Sequence, residues 1–214
     1  MGKTCAVLGM GRFGSSVALS LEKNGVEVMG VDHDADLLAQ YSSQITYALC
    51  AELADEAAVR ELGLGNMDSV VVSMGKDLES SILCVMIAKE SGVHNVIAKA
   101  RSKRMGAILK KVGADSIIYP EEESGIRLAR ALASSHFLDL QDLPDNMVMV
   151  KMKPRPEWVG KNFRELRLRE QYHVNVIGIY TEGSFLFMPD PDQKLEKNDI
   201  MSVLTLEDNL QKIR

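Results

Sequence analysis

Residues 5 to 14 read CAVLGMGRFG: an apolar run, Cys5 to Leu8, enters three glycines at the spacing G-x-G-x-x-G. Each glycine has its own physical reason. Gly9 permits the tight turn out of a strand, Gly11 lets phosphates approach the backbone, and Gly14 lets the following helix pack closely on the sheet. Free N–H groups at the start of that helix then bind phosphate. The loop alone is a weak signal, but its setting strengthens it. Arg12 to Asn24 reads as a helix with Phe13, Val17 and Leu21 on one face, stopped by Asn24-Gly25. A second strand, Val26 to Val31, leads to Asp32, 18 residues beyond Gly14, near where an acid bonds an adenosine ribose.

Asp32 argues against a 2′-phosphate, which a carboxylate repels. It does not separate NAD from ATP or ADP, since all carry the same ribose. Arg12, inside the loop, can reach phosphate oxygens in a bidentate manner, which tilts the reading toward ATP or ADP.

Outward from the loop the pattern repeats. Helices are expected over Ala35 to Ser42, Ala54 to Leu62, Asp77 to Ser91 and Lys103 to Lys111, and strands at Ile45 to Cys50, DSVVVSMG, NVIAKA and ADSIIYP. Strands separated by helices with short connections imply parallel pairing, and the consecutive valines suit a sheet buried on both faces. The expected class is α/β, a Rossmann-like doubly wound sheet. Its carboxyl-edge crevice gathers the candidate nucleotide contacts: Gly9, Met10, Gly11, Arg12, Phe13 and Gly14, then Asp32 and His33, Glu52, Ser73, Met74 and Gly75, and Lys99 and Arg101. Ser73 to Gly75 is expected near the adenosine, and Lys99 or Arg101 to neutralise phosphate.

A helix follows from Glu121 to about His136, opened by Pro120 and acidic residues that suit its N-terminus. LDLQDLPDN reads as a polar turn region. Beyond it come a strand (MVMVKMKP), a helix (NFRELRLREQY), a hairpin about Glu182-Gly183, a last strand (DIMSVLTL) and a closing helix (EDNLQKI), together a smaller α+β lobe. Trp158 and Phe163 are expected in its core or on a face between copies.

Composition bounds the function. The chain has 214 residues, 46% hydrophobic and 26% charged, with net charge −5. From Asp145 onward there are 11 basic and 11 acidic residues, so the negative excess lies in the first two thirds. No basic stripe invites nucleic acid. No apolar run approaches the ~20 residues of a membrane span, and the start runs straight into a strand, so a cytoplasmic chain without a signal peptide is expected. Cys5, Cys50 and Cys84 lie far apart, as small core residues of a reducing compartment do.

GMGRFG, the strand-end VDHD, KKVGADSIIYPEEESGIRLAR and the hairpin lobe together resemble the RCK family, regulators of potassium conductance, and within it cytoplasmic Ktr/Trk subunits of the KtrA and TrkA type. The resemblance spans nearly the whole chain. It implies a Rossmann domain with its crossover helix over residues 1–134 and a C-terminal domain over 135–214. It implies dimers that assemble into an octameric gating ring on a membrane potassium channel subunit, switched by ATP and ADP or by NADH and NAD. By position, Gly9, Gly11 and Gly14 hold phosphates, Arg12 senses the terminal phosphate, Asp32 takes the ribose and Lys99 stands on the phosphate side. Glu121 matches a family glutamate that binds a cation between neighbouring nucleotides, and oxygen ligands suit Mg²⁺ or Ca²⁺. Arg169, His173, Asn175 and Pro191 lie where some relatives bind cyclic di-AMP. One departure is Cys50-Ala51-Glu52-Leu53, where relatives often show a small or amide residue; Glu52 adds negative charge at the crevice rim.

Two other classes are weighed against this. An NAD-dependent oxidoreductase needs a proton-transfer group near the nicotinamide, and none of His33, His94, His136 and His173 stands beside a plausible carboxylate in a second-domain motif. A redox-sensing transcription regulator needs a basic reading module, and FRELRLREQY lacks a helix-turn-helix companion.

Overall fold

The computed structural model describes residues 2–75, 77–133 and 136–213. Two compact units divide it, Met1–Glu121 and Glu122–Arg214.

The first unit alternates strand and helix: β1 (Thr4–Leu8), α1 (Arg12–Lys23), β2 (Glu27–Asp32), α2 (Ala35–Ala39), β3 (Tyr47–Cys50), α3 (Glu56–Glu61), β4 (Ser69–Val72), α4 (Leu78–Glu90), β5 (Asn95–Lys99), α5 (Lys103–Val112) and β6 (Ser116–Ile118). The sheet order is β3-β2-β1-β4-β5-β6, all parallel, so the order of strand addition reverses between β1 and β4. β1 shows why the strands are apolar throughout. Ala6 and Leu8 enter one buried cluster, Cys5 and Val7 the cluster on the opposite face.

Several helices begin at caps. Asp34, Asp55, Asp77 and Ser102 each accept a backbone N–H from the first turn of α2, α3, α4 and α5, worth about 1 kcal/mol apiece. These caps set helix starts one or two residues later than periodicity places the starts of α3 and α4. Cys5 and Cys84 are buried as expected, but Cys50 is exposed. It ends the edge strand β3, whose open side also leaves Tyr47 58% exposed.

The second unit holds most of α6 (Pro120–Leu132), then β7 (Phe137–Asp142), β8 (Met147–Met152), α7 (Phe163–Leu166), α8 (Leu168–Tyr172), β9 (Asn175–Thr181), β10 (Ser184–Phe187), β11 (Ile200–Leu206) and α9 (Leu210–Ile213). The strands form an antiparallel sheet in the order β10-β9-β11-β8-β7. α6 is tied to it by Arg130, which meets Asp142 at 2.5 Å and Glu207 at 2.6 Å. The expected break between residues 134 and 135 falls outside the described residues, and α6 ends at Leu132 rather than near His136.

Two local expectations are corrected. The region read as a polar turn is largely strand β7, hidden because a register shift between Phe137 and Asp139 spoils its alternation. NFRELRLREQY is two helices, not one, broken at Arg167, which is left-handed at φ 45°. Leu166 and Leu168 are both buried. Two residues apart, they cannot share one helical face, and the kink turns both inward. The hairpin forms as read, with Glu182 and Gly183 both at positive φ, as a type I′ turn requires. Trp158 is in the core, edge-on to Tyr172 at 5.1 Å, and Phe163 packs against it from a partly buried position.

Candidate functional site

The glycine loop is fixed from three sides. Gly9 has φ 92°, and a Cβ on Gly14 would lie 1.9 Å from the Gly9 carbonyl oxygen. The Ser73 hydroxyl donates to that same carbonyl from the end of β4. The Met10 N–H donates to Asp32 Oδ2 at 2.7 Å. Asp32 is buried, and its other oxygen accepts the Asp34 N–H at 3.1 Å and meets His33 Nδ1 at 3.1 Å. A carboxylate accepts about four hydrogen bonds, so Asp32 keeps capacity for a ribose hydroxyl while bracing the loop.

Gly11 differs from its neighbours. A Cβ there would meet nothing within 4 Å. Packing in the chain does not demand glycine at this position, which leaves the backbone open to the cleft. Gly11 is also the N-cap of α1, without a side-chain cap and with no acidic residue in the first turn. The α1 amino end therefore presents N–H groups without a side-chain cap among the described residues, and a positive dipole end. The residues fit a phosphate-bearing ligand.

Around this loop lies a cleft of about 560 Å³. Gly9, Gly11, Arg12 and Phe13 line it from the loop, Asp32 and His33 from the end of β2, and Glu52 from beyond β3. Ser73, Met74 and Gly75 follow β4, and Lys99, Arg101 and Glu121 close the far side. Met10 and Gly14 stand behind this wall: both are buried, and the Met10 sulfur packs where a Gly30 side chain would be. Arg12 is exposed, and neither it nor Arg101 forms an ion pair among the described residues. Lys99 lies 5.5 Å over the Phe13 ring and binds Glu121 at 2.7 Å.

Sequence reasoning missed three lining residues, Leu53, Asp77 and Ser80. Asp77 was legible as a helix start, since Asp-x-x-Ser is a capping spacing; its carboxylate takes both the N–H and the hydroxyl of Ser80. The Lys99–Glu121 pairing was not legible, because parallel strand order alone brings the end of β5 beside the residues after β6. The described residues contain no group of three or more His, Cys, Asp or Glu side chains able to hold a metal.

In the second unit, Arg169, Asn175 and Pro191 border one groove of about 680 Å³, where Arg169 Nε donates to Asn175 Oδ1 at 2.7 Å. His173 lines a separate hollow with Met147, Leu204 and Lys212, which Asn175 also borders.

A doubly wound parallel sheet whose glycine loop meets a cleft lined by both basic and acidic side chains, followed by a small antiparallel lobe, defines a two-part chain built on a Rossmann-like fold. The TrkA-N domain model matches residues 5–120 and the TrkA-C domain model residues 147–214. The chain is 34% identical over 208 residues to Ktr system potassium uptake protein A of Vibrio alginolyticus, covering 97% of this chain and 94% of that one. It is 33% identical over 204 residues to Ktr system potassium uptake protein C of Bacillus subtilis (strain 168), covering 95% and 92%. The GsuK RCK domain superposes with a TM-score of 0.67 at 15% identity, covering 99% of this chain and 46% of that one. The GsuK channel bound to NAD superposes at 0.66 and 15%, covering 98% and 38%. The chain therefore spans less than half of those solved chains, while it spans nearly all of its Ktr relatives. It belongs to the KtrA/TrkA-type RCK proteins.

Proposed function

We propose that this chain is the nucleotide-sensing regulatory subunit of a Ktr/Trk-type potassium uptake system. In this reading an adenine nucleotide, ATP/ADP or NAD/NADH, binds against α1 and leaves chemically unchanged. The observation that carries it is the α1 amino end: an open Gly11 beside Arg12, facing Lys99 and Arg101 across one cleft whose β2 end holds Asp32. The bound nucleotide supplies phosphate charge and an adenosine. Arg12, Lys99 and the α1 N–H groups neutralise that charge, and Asp32 accepts from the ribose. The likeness to potassium uptake proteins supports the assignment of the controlled process.

Control follows from differential affinity. Copies of the chain form a homodimer that builds an octameric ring docked on a membrane potassium channel subunit, at the cytoplasmic face. A nucleotide shifts the ring only as far as it prefers one shape over the other. No helix among the described residues is long and apolar enough to cross a membrane; in this reading ion passage belongs to the membrane partner. Apolar side chains open to solvent support pairing of copies. Leu128 and Leu132 lie one turn apart on α6, and Phe185 and Phe187 share a face of the edge strand β10. α6 belongs with the nucleotide domain in this reading, which divides function at residues 134 and 135.

A non-enzymatic role is favoured by the placement of His33. The histidine of the cleft stands beside the ribose acid, away from the Lys99 end where hydride chemistry would need a proton-transfer group. A Mg²⁺ or Ca²⁺ at Glu121 would be completed by nucleotide phosphate oxygens, since Glu121 pairs with Lys99 rather than with other carboxylates. Cyclic di-AMP is assigned to the second-unit groove bordered by Arg169, Asn175 and Pro191.

The test is to identify the nucleotide that co-purifies, by mass spectrometry, and the mass of the assembly in solution. Calorimetry on the emptied chain then follows. Bound adenine nucleotide and a ring-sized mass are expected. No uptake of any adenine compound, or turnover of NADH with a small acid or aldehyde, overturns the reading.

A further inference from the structure

We infer that Glu52 selects the base, admitting a purine with a 6-amino group and rejecting one with a 6-oxo group. This rests on the adenine-nucleotide reading above. The placement comes from strand register. β2 and β3 pair with Asp32 opposite Cys50, and the Ala51 N–H donates to the Asp32 carbonyl at 3.0 Å. Glu52 thus leaves the sheet beside the ribose acid and lines the same cleft. With phosphate at α1 and ribose at Asp32, the base lies beyond the ribose, at this end of the cleft.

The carboxylate is held but not used up. Its Oε1 accepts the Ala54 N–H at 3.1 Å, and it has no other hydrogen-bond or ion-pair partner among the described residues. The other cleft carboxylates are engaged: Asp32 with the loop, Asp77 with Ser80, and Glu121 with Lys99. Leu53, next along the chain, gives the same end an apolar wall. An uncompensated carboxylate at the rim of a phosphate-binding cleft repels its own ligand. A donor on the ligand reverses that sign. At the 6-position adenine offers an N–H donor, whereas hypoxanthine and guanine offer a carbonyl acceptor there and carry their donor at N1 instead, so a carboxylate held at the 6-position pairs with adenine and opposes the 6-oxo bases. Sites built around such a bond discriminate strongly, because the wrong ligand leaves a polar group unpaired.

The experiment compares ADP with IDP, which share ribose and diphosphate, by calorimetry on the emptied full-length chain. Wild type is expected to bind ADP at least about tenfold more tightly, as a hydrogen bond to a charged group provides. In Glu52→Gln the amide can donate to a 6-oxo group, so the ADP/IDP ratio should fall toward one with the melting temperature unchanged, Glu52 being exposed. Equal wild-type affinities for ADP and IDP overturn the inference without any variant. A ratio that survives in Glu52→Gln also overturns it, for then another group reads the base. Binding of ADP with no discrimination defeats this inference alone; binding of neither diphosphate also defeats it, and if ATP, NAD and NADH are not taken up either, the adenine-nucleotide reading fails with it.

Discussion

Lys99 Nζ stands 2.7 Å from Glu121 Oε1, with the Lys99 side chain 13% exposed and that of Glu121 69%. The pair joins the end of β5 to the start of α6. The hydrogen bond from Lys99 is the chief cause holding the Glu121 carboxyl below the usual carboxylate range. A phosphate entering the cleft competes with Glu121 for the same ammonium. Glu121→Gln should therefore raise ADP affinity about two- to fivefold in a chelator, the scale of a weakly buried ion pair. Any strengthening by added Mg²⁺ should disappear in the variant. Calorimetry with and without Mg²⁺ reads both.

Gly14→Ala should abolish nucleotide binding and destabilise the first unit. The new methyl would lie 1.9 Å from the Gly9 carbonyl oxygen and 2.6 Å from the Ser73 hydroxyl, so the loop must move. Overpacking of this kind costs about 1–3 kcal/mol. A lowered urea midpoint together with lost ADP binding is the expected result; an unchanged midpoint would show that the loop yields freely.

Arg12→Ala should leave stability within about 0.5 kcal/mol, because Arg12 is exposed and forms no ion pair among the described residues. Its effect should fall on ligand choice. Titrations of ATP and ADP against the variant should give closer affinities than against wild type. If the two nucleotides differ as before, Arg12 does not read the terminal phosphate.

Asp115 supports an acid-sensitive clasp away from the cleft. It accepts the Val96 N–H at 2.7 Å and binds Lys89 at 3.0 Å, and these hold its carboxyl below the usual range, the backbone bond first. With the folded pKa below the unfolded value near ~3.9, the contribution is complete above that value. It is lost as pH falls through the folded pKa. Asp115→Ala should cost about 1 kcal/mol at neutral pH. The gap from wild type should narrow below about pH 4 in urea melts.

Native-state thiol labelling should be selective. Burial pushes the Cys5 thiol up to about 11 and the Cys84 thiol up to about 12, with the charge of Asp77 adding to the latter. Cys50 is exposed. Iodoacetamide at neutral pH should add a single group rapidly, mapped to Cys50, with the other two reacting only after unfolding.

The first unit is largely legible in the sequence. Gly9, Gly11 and Gly14 lie between a strand and a helix, and the valines of β4 run consecutively, because local steric rules and burial on both sheet faces act directly on sequence. Asp32 was legible by its spacing, and the hairpin by Glu182-Gly183, since positive φ at both residues is a local demand. What tertiary structure decided are the matters set by neighbours distant in sequence. β7 was invisible because a bulge breaks its alternation. The kink at Arg167 exists because the core claims both Leu166 and Leu168. Asp32 braces Met10 as well as facing the cleft, Lys99 meets Glu121, and Glu52 emerges beside Asp32. Local backbone preference and hydrophobic period are written along the chain. Which side chains then share a hydrogen bond is fixed only when parallel strands bring their carboxyl ends to one edge.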